Sequence, residues 1–293
     1  QTGYVGSEGH HLFSGRQVNL KDPITGKRPL PQFGQFQIKY NDSNSSYHAL
    51  LTSVERYFTS GWSWQTQYIW SHAIADGSVG TGETAQVENA SCRVCDRSNA
   101  NFDVRHNLTM NSVYQLPIGP GRSHWNAKGV AGDLIGGWQV SGILAARTGL
   151  PVNITVTRKA SDMRDGNNRN QRPDLVPGVP IYPQNQTIDN WFNPAAFAVP
   201  AKGTWGNLGR NVARGPGYWE VDGALEKKTP IGAKADVKFR VEAFNLTNRP
   251  IFANPAANIS AASRFGRITN VLNPGAVGTG TPRRVQLMLR AEF

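Results

Sequence analysis

The 293-residue chain has no run of eighteen apolar residues, so no segment reads as a membrane-spanning helix. Charge is scarce too, at 17% of residues, and there are only two cysteines. Those two, Cys92 and Cys95, form a single CxxC. A zinc site needs about four ligands, and neither a second CxxC nor paired histidines lie nearby. A thioredoxin-like motif needs a strand-to-helix junction, which the Asn-, Ser- and Arg-rich surroundings do not provide. The expectation is a local disulfide in an oxidising compartment. The six histidines are dispersed: His48, His72 and His106 at expected strand ends, His10, His11 and His124 in loops. None stands in an HExxH or Ser-His-Asp context, so no enzyme activity, catalytic residue, metal or cofactor is expected. A signal peptide is also missing. The chain opens on Thr2, Gly3, Tyr4 and Val5 as if a strand were entered midway, which reads as the C-terminal portion of one longer domain.

What is present is glycine (31 residues), eight tryptophans and a negative mean hydropathy, a profile of strands and loops. The net charge is +11, from 31 basic and 20 acidic residues. The bases are scattered among loop residues rather than gathered on one helix, which argues against nucleic acid. Arginines in a lumen and in loops account for the charge better, and suit anionic solutes or lipopolysaccharide.

Period-two alternation carries the fold. In 283–293, Val285, Leu287, Leu289, Ala291 and Phe293 share one face, while Arg284, Gln286, Arg290 and Glu292 share the other; Met288 alone breaks the pattern. Similar alternation runs through 47–58, 62–74 (Trp62, Trp64, Tyr68, Trp70), 104–116, 219–226 and 235–243. From Trp138 to Val156 one parity holds for about twenty residues, longer than soluble strands run. A short strand is expected at 36–40 within an otherwise looped 6–46, and a short helix in 125–135. The expected class is all-β and antiparallel, with about eight strands.

Connections alternate in length: long at 6–46, short at 59–61, long at 75–103, medium at 117–136, long at 158–216, short at 229–232, long at 248–282. Outer-membrane barrels alternate long outer loops with short periplasmic turns in this way. With the short turns on the periplasmic side, Phe58, Trp62, Tyr114, Trp138 and Phe293 fall at one level, as a membrane aromatic girdle does. Glu220, Asp222, Glu226, Asp236, Lys238, Arg240, Glu242 and Arg290 then face the lumen. In the longest loop Arg164, Arg169, Arg172, Asp174, Trp191 and Phe192 are the candidates for ligand contact, since outer loops meet solutes first.

Several segments resemble a known family. They are Tyr47-His48-Ala49-Leu50, Tyr68-Ile69-Trp70-Ser71-His72-Ala73-Ile74, Phe102-Asp103-Val104-Arg105-His106, Gly136-Gly137-Trp138-Gln139-Val140-Ser141-Gly142, Trp191-Phe192-Asn193-Pro194-Ala195-Ala196-Phe197, Gly206-Asn207-Leu208-Gly209-Arg210-Asn211 and Glu242-Ala243-Phe244-Asn245-Leu246-Thr247-Asn248. In family order they resemble the barrel of Oar-like TonB-dependent transporters. The resemblance implies a barrel of about 22 strands, of which this chain would be the C-terminal third. It also implies a plug and an N-terminal regulatory-like domain outside the chain. Coupling to the TonB complex would run through that N-terminal region, and barrel-assembly machinery would engage the C-terminal strand. Outer-membrane lipid and lipopolysaccharide would surround the barrel. The competing expectation is a surface-exposed β-sandwich or adhesin-like binding module, whose apolar faces meet each other instead of lipid.

Overall fold

The computed structural model describes every residue except 23, 78–86, 90, 91, 123, 125, 127, 128, 164, 169, 170, 233, 234 and 276–278, and the side chain of Val130. Eight long strands follow one another: β1 (Thr2–Val18), β2 (Phe36–Thr59), β3 (Trp62–Ala75), β4 (His106–Gln115), β5 (Trp138–Arg147), β6 (Tyr218–Ile231), β7 (Ala235–Phe244) and β8 (Arg284–Glu292). Each pairs antiparallel with the next, in chain order, so the sheet is an unbroken meander with β1 and β8 at its two ends. A seven-residue helix of about two turns, α1 (Gly129–Ile135), lies in the β4–β5 connection.

The turns explain the register. Ser60 and Gly61 have φ of 53° and 80°. Two successive left-handed residues make the mirror-image turn whose twist matches the strands it joins. The β6–β7 connection is nearly as short, with Gly232 at φ 65°.

Register sorts the side chains into two faces. One row across the sheet reads Tyr68, Leu108, Ala146 and Trp219; another reads Trp62, Tyr114, Val140 and Leu225, continuing through Val241 to Leu287. On this face large apolar side chains are exposed: Trp70 by 54%, Leu287 by 67% and Leu289 by 75%. The alternate positions carry Gln65, Gln67, Asn107, Thr109, Asn111, Gln139 and Ser141, then the charged residues of β6 to β8. Ile69, Val113 and Ile143, with Phe244 and Met288 on β7 and β8, are large apolar exceptions in that polar set. A sandwich would cover the apolar face with a second sheet. Among the described residues the only other sheets are two pairs of two-residue strands in loops.

Two sequence expectations are corrected. Residues 6–46 are not mostly loop: β1 runs to Val18 and β2 begins at Phe36, paired from Val18↔Phe36 to Thr2↔Thr52. Ser, Asn, Gly and charged residues occupy both faces there, and bulges between Gly9 and Ser14 shift the register, so alternation could not reveal the pairing. Nor is 138–156 one strand. β5 ends at Arg147, and Pro151–Val152 pairs instead with Ala213–Arg214. Gly149 permits the departure: a Cβ there would sit 1.8 Å from the Gly215 carbonyl oxygen. The expected helix begins later than 125, at Gly129.

Candidate functional site

The polar face of β6 to β8 is an ion-paired ladder. Arg240 bridges Glu226 at 3.2 Å and Glu242 at 2.6 Å; Lys238 meets Glu292 at 2.7 Å, and Lys228 meets Asp236 at 2.8 Å. Register places Asp236 opposite Glu292 and Lys238 opposite Arg290, like facing like. The diagonal lysine pairs offset that repulsion, as cross-strand opposite charges do. Glu220, Asp222, Glu226, Asp236, Lys238, Arg240, Glu242 and Arg290 therefore share one face. Six carboxylates (with Glu292) stand against five cations (with Lys228 and Arg284), so this stretch is close to balanced. The +11 surplus is therefore carried outside this stretch of wall.

Of the aromatic level, Trp62 and Tyr114 are register partners, and Trp138 lies one row beyond, opposite Lys227. The Lys227 ammonium lies 5.1 Å from the Trp138 ring centroid and donates to the carbonyls of Asp133, Leu134 and Gly136. One cation thus closes the C-terminal end of α1 and fixes the connector to β6. Phe58 occupies the irregular step between Arg56 and Thr59, and Phe293 follows the last residue of β8; both are exposed.

Sequence reasoning missed a second aromatic level at the long-loop end of the same face. Tyr4 and His48 stack and share a hydrogen bond of 2.6 Å; Tyr68 and His106 repeat the arrangement at 2.7 Å. Trp70 and Trp219 complete it. Trp62 and Trp70 are eight residues apart, which at ~3.3 Å per residue spans about 26 Å along the strand. At the ~35–45° tilt of barrel strands this is about 18–21 Å along the membrane normal, most of the roughly 25 Å apolar band of an outer-membrane barrel. Spacing within β3 alone contained the signal.

At that same end the long connections fold together. Val152, Ile154, Phe192, Ala196, Phe197, Leu208, Ala213 and Phe265 form a buried core drawn from the β5–β6 and β7–β8 connections. Phe197 meets Phe265 edge to face at 5.5 Å. Beneath it runs a chain of buried ions. Arg172 pairs with Glu88 and Asp96, both at 2.6 Å, and its Nε donates to the Leu208 carbonyl. Arg210 donates to the Asp96 and Ala75 carbonyls. Asp103 accepts from the Ala73 amide, Arg105 and Arg214. Burial and the neighbouring Asp96 charge push the Glu88 carboxyl up to about 7, while Arg172 beside it acts the other way. Burial also pulls the Arg210 guanidinium below its ordinary value. Cys92 and Cys95 are joined in a disulfide at the start of this network.

The loop residues singled out for ligand contact have other duties. Arg172 is 3% exposed and Phe192 is fully buried. The Trp191 indole donates to the Arg214 carbonyl at 2.9 Å, and Asp174 accepts from the Asn207 amide at 3.0 Å. These four hold the cap together, and the expectation that Arg172 and Phe192 meet solute is corrected by their burial. Arg164 and Arg169 lie outside the described residues. Among the described residues no group of three or more His, Cys, Asp or Glu could hold a metal ion.

The sequence model of a family described as an outer membrane beta barrel domain matches residues 1–286 of the chain. No curated protein matches the sequence closely enough to add a relative.

Proposed function

Because the chain belongs to the outer membrane beta barrel domain family, and so resides in the bacterial outer membrane, we propose that it forms the wall of a transport or receptor barrel passing a large solute. The observation that carries this is the polar face. From β3 to β8 it offers amides and hydroxyls, then an ion-paired ladder, while the opposite face is mainly apolar in the same rows, with Thr66, Ser112 and Lys227 among its polar members. Wall groups of that kind hydrogen-bond a solute without holding it by net charge. The lack of any catalytic constellation in the sequence supports a passage role over an enzyme.

The finer reading is an Oar-like, TonB-dependent transporter. It rests on the segment resemblances, which run in family order over most of the chain. In this reading TonB engages an N-terminal region of the whole protein, barrel-assembly machinery engages the C-terminal strand, and lipopolysaccharide surrounds the outer rim. Nucleic acid is not a partner.

The test uses cells expressing the full-length protein, supplied with fluorescent oligosaccharides of graded size. Uptake above the porin limit that stops when a protonophore collapses the inner-membrane gradient supports the reading. Size-limited passage indifferent to the protonophore would reject TonB coupling and leave a passive pore.

A further inference from the structure

The disulfide of the cap stands at a junction. Cys92 and Cys95 have Cα atoms 5.5 Å apart, and their bridge closes the single 3₁₀ turn Arg93–Asp96. The turn is weakly held by its own backbone. No side chain caps its start; the Cys95 amide donates to the Cys92 carbonyl at 3.3 Å and the Arg97 amide to the Val94 carbonyl at 3.0 Å. A lone turn of this kind is marginal without a further constraint. The covalent bridge supplies one.

The residues of the turn reach in opposite directions. Arg93 lies 3.3 Å from Asp76, just past β3, and 3.9 Å from Asp42 in β2. Asp96 is 3% exposed; its carboxylate accepts from Arg172 at 2.6 Å and from the Glu88 amide at 3.1 Å, and its carbonyl from Arg210 at 3.0 Å. The Cys95 carbonyl accepts from Arg172 as well, at 3.4 Å. One turn thus ties β2 and the end of β3 to the β5–β6 connection. A disulfide across so short a loop constrains the unfolded chain less than a long one does. Its effect is therefore local, keeping Arg93 and Asp96 in the orientations their partners need.

The bridge is also accessible. Cys95 and Val94 are exposed, Val94 by 73%, while Cys92 is partly buried. Exposed disulfides are the ones that exchange with thiols. Access here favours attack on the Cys95 sulfur.

We propose that the Cys92–Cys95 bridge is a thiol-exchangeable clasp, a modification site at which a small thiol unlocks the β5–β6 connection from β2 and β3. A thiolate attacks Cys95 Sγ and forms a mixed disulfide, and Cys92 leaves as a thiolate that takes up a proton. A second thiolate attacks the small thiol's sulfur in the mixed disulfide, and Cys95 leaves and is protonated in turn. Two thiols are oxidised to one external disulfide, and both cysteines end reduced. The turn then loses its constraint, and Asp96 its fixed approach to Arg172. The clasp does not depend on what the barrel transports.

The test uses the full-length protein, already assembled in outer-membrane fragments, in buffers of graded reduced-to-oxidised glutathione ratio. Alkylation and peptide mapping give the oxidised fraction. Hydrogen exchange in peptides holding Glu88 and Arg172 reads the cap, with β7 and β8 as reference. The expected result is a bridge that opens within the glutathione series, with exchange at both cap sites rising about tenfold or more and returning on reoxidation. The strands should not change. At short times glutathione should be found on Cys95 and the alkyl label on Cys92. The double variant Cys92→Ser, Cys95→Ser should exchange fast at every ratio. A bridge that stays closed in reduced glutathione would overturn the proposal, as would an open bridge over an unchanged cap, which makes it a plain structural link. Loss of strand protection together with the cap would overturn it too, since the bridge would then hold the whole molecule. Where the double variant does not assemble, the response of the assembled wild type decides alone.

Discussion

At the scale of single residues, the loop cap depends on Arg172. It is buried between two carboxylates, Glu88 and Asp96, each 2.6 Å away. Replacing Arg172 with Met leaves both acids buried without their counter-ion, which should cost about 3–5 kcal/mol of cap stability. Hydrogen exchange at the cap amides, with the strand amides as internal reference, measures it; an unchanged cap would refute the assignment. Glu88 gives the pH dependence. Its folded-state pKa of about 7 lies above the 4.5 of the free side chain. The contribution linked to its proton is therefore full below pH ~4.5 and is lost as pH rises through about 7, amounting to roughly 3 kcal/mol. Glu88→Gln keeps the shape without the charge. The Arg172 amide, which donates to Glu88 Oε1, should exchange faster at pH 8 than at pH 6 in the wild type after intrinsic correction, and equally in Glu88→Gln.

At the scale of elements, period-two alternation made β3, β4, β7 and β8 legible, because each has one face meeting hydrocarbon. It failed where that constraint ends. The far ends of β1 and β2 carry Gly, Ser and Asn on both faces, so their pairing had no pattern to show. After β5, Val152 and Ile154 keep the strand's parity by coincidence, since they serve the loop core and not the sheet. The polar links of the cap were beyond sequence reading for a different reason: Arg172 and Glu88 are 84 residues apart, Asn99 and Asn211 are 112. The terminal strand supplies the test of facing. Leu287 lies on the apolar face opposite Val241, and Gln286 on the polar face opposite Glu242. Leu287→Arg should cost about 2–4 kcal/mol in denaturant titration of the lipid-inserted protein. Gln286→Arg should cost little, with Glu242 facing it. Equal costs would refute the assignment of faces.

At the scale of the whole molecule, the meander and its two aromatic levels describe a wall about one membrane thick, with connections of two and three residues at one end and of 17, 30, 70 and 39 at the other. In the full-length protein such a wall should resist detergent at room temperature and unfold on boiling, seen as a mobility change on a denaturing gel. Recovery in the aqueous phase without detergent would contradict it. The medium connection between β4 and β5 is the exception to the alternation of lengths. Its helix is fastened by Lys227, so it behaves as an ordered foot at the short-turn end. Lys227→Met should free that foot, read as faster exchange at Gly136, whose amide belongs to the last turn of α1.

The loop core has a consequence in time. Its apolar part joins the connections after β5 and after β7, and its ionic underside joins those after β3 and after β5, so the whole is not complete until three separate segments have all crossed to the far side of the bilayer. Phe192, Phe197 and Phe265 must make that crossing unburied. The cap is therefore the last structure to form during biogenesis, and an arrested assembly intermediate should show strands protected from protease while the segment 158–216 is still cut.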